Sequence, residues 1–319
     1  MRYGLNTCFL TLIFLAFGAA AMADTFGAGA NQFNIDFVPI SGATNPASGY
    51  GIVNHDYRMG TCTISNDQWN KFTASLGVPV TGADGGYYST SFYTGADVPV
   101  NDVSWFEAAQ FVNWLNTSTG HQPAYKFTGT QGTRDYTFAT WSAAEAAGGT
   151  NLYRNKDAYY FLPSEDEWVK AAYWNGASLQ TYATKPGDTL FQGNGTNGGW
   201  NYYTTQYATN PMGPWAVNGG SQELNGTFNM MGNVWQWTES PYGDLSYGTN
   251  SSRSLRGGSF LDDSSFLSSS YRFEYSPTLE PVDLSFRVAS VPEPGSLLMT
   301  AMIALSGLLY FWQKNDTTQ

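Results

Sequence analysis

The sequence predicts an α+β fold, rich in loops, with few and short helices and short strands. Glycine contributes 35 of 319 residues, above its usual share, and Asn, Ser and Thr are abundant, a composition that spends much of the chain in turns. Three stretches carry a helix-start signal followed by apolar residues at three- and four-residue spacing. Elsewhere the apolar runs are short and punctuated by Gly and Asn, as short strands and tight turns require.

The first helix signal is Ser65-Asn-Asp-Gln68, followed by Trp69, Phe72 and Leu76 and closed by Gly77. The second, Ser104-Trp-Phe-Glu107, leads into Ala108, Phe111, Val112 and Leu115; the third, Ser164-Glu-Asp-Glu167, leads into Trp168, Ala171 and Ala172. In each, the serine hydroxyl takes an orphan N–H of the first turn, and the Gln or Glu three residues on reaches back to the serine N–H. Glu165 and Glu167 therefore read as helix N-terminal acids favoured by the dipole, not as a catalytic pair. Residues 254–260 and 285–288 read as short strands and turns.

Fourteen Lys and Arg against 25 Asp and Glu give a net charge of −11, so the chain lacks the clustered cations that tracking a phosphate backbone needs, and nucleic acid is excluded as a partner. Two histidines and two cysteines exclude a three-histidine metal centre, a four-cysteine zinc site and a disulfide-dense scaffold. The 42% hydrophobic content, with 11 Trp, 21 Tyr and 20 Phe, suffices for a large core.

The two ends read as addresses. Residues 1–23 carry Arg2, an apolar run over 8–17 and the small residues Ala21 and Ala23 before Asp24, the pattern of a secretory signal peptide cut after Ala23. Cys8 leaves with it, and the remaining thiol, Cys62, is expected to be buried. Residues 291–319 form a tail in which Pro292-Glu293-Pro294 precedes an uncharged stretch over 297–312 and then Lys314. Such a helix is about 24 Å long, near the thickness of the hydrocarbon core. The tail resembles the PEP-CTERM protein-sorting signal. That resemblance implies an exosortase-type enzyme as partner, transient residence in the inner membrane through 297–312, and delivery to the cell surface or extracellular matrix of a Gram-negative bacterium. Between the ends, residues 24–290 show no linker, charge block or repeat and read as one domain.

Five segments of that domain occur in an informative order: Pro99-Val-Asn-Asp-Val-Ser-Trp105, Phe161-Leu-Pro-Ser-Glu-Asp-Glu-Trp168, Phe228-Asn-Met-Met-Gly-Asn-Val-Trp-Gln-Trp237, Leu255-Arg-Gly-Gly-Ser-Phe260 and Leu284-Ser-Phe-Arg287. Together they resemble the formylglycine-generating enzyme, or sulfatase-modifying factor, family over essentially the whole domain. The resemblance implies a C-type-lectin-like core elaborated by loops.

The family's generating enzymes hold copper between two thiolates placed shortly before the last motif. Here Ser265 and Ser270 stand at those positions, and a neutral hydroxyl cannot replace a thiolate at soft Cu(I), so no copper is expected and formylglycine generation is disfavoured. A non-haem iron site of the same fold would need His55 and His121 with a carboxylate, yet the two share no helical or strand spacing. No G-x-S-x-G elbow supports a Ser/His/Asp hydrolase. The resemblance implies a structural calcium at Asn229, Gly232, Val234 and Gln236, weakened because Gln stands where the family has Glu; alternatively these residues satisfy backbone groups in a buried turn. Trp235 and Trp237, with Trp200-Asn-Tyr-Tyr203, read as core and loop-clamping aromatics, with stacking on sugars as the functional alternative. Arg256 and Arg287 are expected to bond internal carboxylates or carbonyls. The expectation is an exported, non-catalytic binding or structural module, its partners extracellular polysaccharide or surface proteins; a metal-dependent oxidase is the alternative.

Overall fold

The computed structural model describes residues 22–82, 88, 90–196, 198–209, 211–243 and 247–292. The signal-peptide residues up to 21, the tail helix 297–312 and, of the sorting motif, Glu293 and Pro294 lie outside them. No helix among the described residues is long and apolar enough to cross a membrane.

In chain order the elements are β1 (Met22–Phe26), β2 (Phe33–Ile40), β3 (Tyr57–Gly60), α1 (Asn66–Leu76), α2 (Trp105–Ser118), β4 (Lys126–Thr128), β5 (Thr137–Ala139), β6 (Ala146–Ala147), β7 (Asn151–Asn155) and β8 (Tyr160–Phe161). There follow α3 (Glu165–Tyr173), β9 (Trp235–Pro241), β10 (Arg253–Arg256), β11 (Phe273–Tyr275), β12 (Leu284–Phe286) and β13 (Ala289–Ser290). Three α-helices and one 3-10 turn (Gly29–Asn31) among many short strands, in the described residues, match the α+β, loop-rich class expected. All three capping boxes form with both of their bonds, and α1 ends on Gly77 at φ 72, the left-handed C-terminal position that glycine fills without strain.

A five-stranded sheet runs β1-β2-β3-β13-β8, and a four-stranded sheet runs β11-β10-β9-β12, in which β12 pairs parallel with β9. The last strand among the described residues, β13, thus sits between β3 and β8, in the same sheet as the first hairpin β1-β2. Arg58 on β3 fastens this closure: its terminal nitrogens lie 3.0 and 2.6 Å from the Asp24 carboxylate, and its Nε donates to Ser290 Oγ at 2.9 Å and to the Val291 carbonyl at 3.3 Å. Tyr160 adds a hydroxyl bond to Asp24 at 2.8 Å.

The core is aromatic. Trp69 of α1 stacks on Phe111 of α2 at 5.8 Å and meets Phe286 of β12 edge-on, so the two helices and the second sheet share one ring cluster. Charge is buried with it. The first turn of α3 drives Glu165 and Glu167 into the sheets: Glu165 takes Arg256 Nε and both an Nε and a terminal nitrogen of Arg272, each at 2.7 Å, while Glu167 takes Arg154 at 3.0 and 2.7 Å. Arg154 also bonds Glu239 of β9 and lies 3.6 Å over the Phe161 ring. These acids act in the fold, well beyond the helix dipole.

Candidate functional site

The segment from Asn229 to Gln236 organises the loops rather than a metal. Asn229 and Asn233 both adopt left-handed backbone, at φ 52 and 67, which Asn tolerates better than most residues. Asn233 then binds three separate loops: its Oδ1 accepts from Trp215 N at 2.7 Å and Asn201 Nδ2 at 3.0 Å, and its carbonyl accepts from Phe260 N at 2.9 Å. Gly232 lies at φ 72 with the Asn201 carbonyl only 2.5 Å from where a Cβ would stand, so only glycine lets these chains touch. Val234 is fully buried.

Gln236 is also fully buried, and both ends of its amide are used. Its Oε1 accepts from Arg287 Nε at 2.6 Å and from Trp168 Nε1 at 2.9 Å, and its Nε2 donates to the Asn229 carbonyl at 2.6 Å. A calcium ion bonded to that oxygen would have to displace a guanidinium and stand beside its positive charge. The set Asn229, Gly232, Val234 and Gln236 therefore does not fit calcium here; it satisfies backbone groups in a buried turn. Arg287 completes the network by donating to the Gly60, Thr61 and Phe228 carbonyls, as expected of it.

Ser265 and Ser270 lie exposed on the turn 264–270. Ser265 Oγ donates to Asp263 at 2.6 Å, and Ser270 Oγ shares a hydrogen with Ser268 Oγ at 3.2 Å. These neutral hydroxyls do not fit copper. Cys62 is not near enough in the fold to help: it lies after β3, next to Thr61, with Asp36, Glu223 and Arg287 as its charged neighbours. It is half-buried rather than buried, because it forms part of a cleft wall, and burial still pushes its thiol up. The histidines do not converge. His55, largely exposed, contacts Glu167 at 3.2 Å, and His121 stacks on Tyr159 at 4.5 Å. Among the described residues no three His, Cys, Asp or Glu side chains are grouped to hold a metal ion.

Beside the turn is a face of rings. Trp235 is almost wholly buried and Trp237 wholly so, its Nε1 held by the Val103 carbonyl, which is the core reading of that pair. Trp235 nevertheless backs the surface: Phe273 lies 5.7 Å and Tyr271 6.0 Å from it, and Tyr275 lies 5.2 Å beyond Phe273. Tyr93 meets Phe260 edge-on at 5.7 Å and carries Phe92 at 4.9 Å. Three carboxylates stand among these rings. Asp262 accepts from Ser259 N and Oγ at 2.9 and 2.7 Å. Asp102, at φ 56, accepts from Phe92 N at 2.9 Å. Burial raises the pKa of Asp102 and, helped by the charge of Asp262, that of Asp283. Asp102 lies within the segment Pro99–Trp105 but was given no role there, and no motif marked Asp262 or Asp283; each is brought to the face by a loop.

A cleft of 1090 Å³ adjoins this face along residues 92–97, whose Ala96 and Asp97 line it. Its walls are mixed: Ile35, Val38, Leu224 and Phe228 line it, and Asp36 and Asp67 stand there with Gln68, which donates to the Asn34 carbonyl at 2.7 Å, and Gln222, which accepts from Lys185 at 2.8 Å. No histidine lines it to activate the thiol of Cys62.

Three solved structures share the architecture. Treponema denticola variable protein 1 is 20% identical with a TM-score of 0.58, covering 85% of this chain and 99% of its own. CarF is 21% identical with a TM-score of 0.58, over 81% and 99%, and PvdO from Pseudomonas aeruginosa is 14% identical with a TM-score of 0.51, over 85% and 92%. At these identities the likeness shows the fold alone. The search of curated proteins found no match. The family match is broader, since the sulfatase-modifying factor enzyme 1-like domain aligns with residues 11–291, and the chain belongs to that family.

Proposed function

We propose that this chain is an exported, non-catalytic member of its family, a module that binds polysaccharide at the cell surface or in the extracellular matrix of a Gram-negative bacterium. In this reading residues 1–23 direct export, and the tail 291–319, with Pro292, Glu293 and Pro294, is handled by an exosortase-type enzyme after transient residence in the inner membrane. One observation carries the non-catalytic part: the turn where family enzymes hold copper presents Ser265 and Ser270, both exposed and hydrogen-bonded as ordinary hydroxyls. The ring-and-carboxylate face and the cleft beside it support binding as what remains.

The test is elemental analysis of the protein purified from the periplasm without chelator, alongside co-sedimentation with insoluble polysaccharides. Neither iron nor copper at stoichiometric level, with retention on a polysaccharide, is the expected result. Stoichiometric iron or copper would overturn it and favour the oxidase reading.

A further inference from the structure

Six of the eleven large apolar side chains exposed among the described residues belong to the face beside Trp235 or to loops tied to it: Phe92, Tyr207, Met212, Leu261, Phe273 and Leu279. Phe92 is 67% exposed. Exposed rings gathered in one region of the surface are a mark of interaction, because rings left in water gain nothing for the fold. Their positions are set from beneath: Phe273 rests on buried Trp235, Tyr93 on Phe260, and the Tyr203 N–H is bonded to the Asp262 carbonyl at 2.7 Å. A ligand would therefore meet rings already in place.

The charge of the face selects that ligand. The three carboxylates are tied to the rings through the backbone: Asp102 accepts from Phe92 N at 2.9 Å and its own N–H donates to the Pro281 carbonyl at 3.4 Å, the Asp283 carbonyl accepts from Trp235 N at 2.8 Å, and Asp262 accepts from Ser259, next to Phe260. Arg272, the residue before Phe273, is turned away into Glu165. A uronic acid or phosphate would be repelled here, and a neutral sugar would leave the carboxylates uncompensated. A flat pyranose bearing an ammonium group meets both demands: its ring lies against Phe or Tyr, and its charge lies over a ring and against a carboxylate.

We propose that the face around Asp102, Asp262 and Asp283, with Phe92, Tyr93 and Phe273, binds the free amino groups of an amino-sugar polysaccharide. This rests on the polysaccharide-binding reading above and names its ligand class.

The experiment compares three soluble oligomers of equal length by titration calorimetry on the exported protein: a glucosamine hexamer, its N-acetylated form and a glucose hexamer, with penta-lysine as a fourth probe. The glucosamine hexamer is expected to bind roughly tenfold tighter than the acetylated one, the size of a desolvated cation–ring contact, and to weaken with added salt. Asp283→Asn should remove that preference. Phe92→Ala and Phe273→Ala, at exposed positions, should weaken binding without lowering Tm, so a failure of Asp283→Asn to fold leaves the test intact. Equal binding of the acetylated or glucose hexamer would overturn the amine preference and leave the polysaccharide reading standing. Failure of all three sugars would overturn both. Penta-lysine binding as tightly, indifferent to loss of Phe92 and Phe273, would overturn the proposal in favour of a basic protein partner.

Discussion

Arg154→Met should be among the most damaging single substitutions in this chain. Arg154 gives two bonds to Glu167, at 3.0 and 2.7 Å, and three to Glu239, at 3.1, 2.9 and 2.6 Å. Both acids are at most 2% exposed. Met preserves the stacking on Phe161 but strands two carboxylates out of water, and breaking a buried pair from one side costs about 3–5 kcal/mol. The loss falls mainly on Glu239, which keeps the neutral partners Asn151, at 2.7 Å, and Tyr125, whereas Glu167 keeps His55 and the N–H of Ser164. Burial pushes both acids up; Arg154, His55 and the cap reverse this for Glu167 and hold it well below the ordinary carboxylate range, while Glu239 stays above it. In the native protein the Glu167 contribution is present above the unfolded carboxylate pKa and is lost as pH falls through the folded one. In the variant both folded pKa values rise above the unfolded ones, so its deficit should be largest at neutral pH and shrink as pH falls towards 4. Urea unfolding monitored by tryptophan fluorescence across that range reads both effects, and adding Glu239→Gln should recover about half the deficit. A deficit under about 1 kcal/mol, or one independent of pH, would refute the reasoning.

Gln236→Leu should cost about 2–4 kcal/mol by urea unfolding, because Arg287, Trp168 and the Asn229 carbonyl all lose a buried partner; calcium or a chelator should leave the native Tm unchanged, and a rise with calcium would restore the ion to that turn. Cys62, its thiol pushed up by burial, should react with iodoacetamide at pH 8 more slowly in the folded protein than in urea, as intact-mass kinetics would show. Arg58→Met should release both chain ends together, so that limited proteolysis trims residues near 24 and near 290 at similar rates; trimming of one end alone would contradict a shared fastening.

The helices were legible because a capping box is a local device: Ser65 and Gln68, Ser104 and Glu107, and Ser164 and Glu167 all lie within four residues and need no knowledge of the fold. The short strands over 253–256 and 284–286 followed from equally local punctuation. Arg256 and Arg287 were readable as internal donors through their motifs. What stayed hidden depends on pairs far apart in the chain. Arg154 and Glu239 are 85 residues apart, and nothing in the local sequence of either names the other. Asp102, Asp262 and Asp283 reach one face through three loops distant in sequence, and Asn233 holds the one that carries Phe260 and Asp262, through its carbonyl to Phe260 N. Cys62 was expected inside because thiols usually are, but the cleft opens its side of β3.

Arg58 also has a topological meaning. By holding Asp24 with one end of its guanidinium and Ser290 with its Nε, it joins the two ends of the domain, alongside the Tyr160 bond to Asp24 and the pairing of β13 with β3. A few glycines could replace that closure covalently, and new ends could be opened elsewhere in a circularly permuted chain without moving a strand. A pull applied between residues 24 and 290 would load the Arg58 bonds together with the pairing of β13 with β3, and the helices and ring-lined loops would be spared until these gave way.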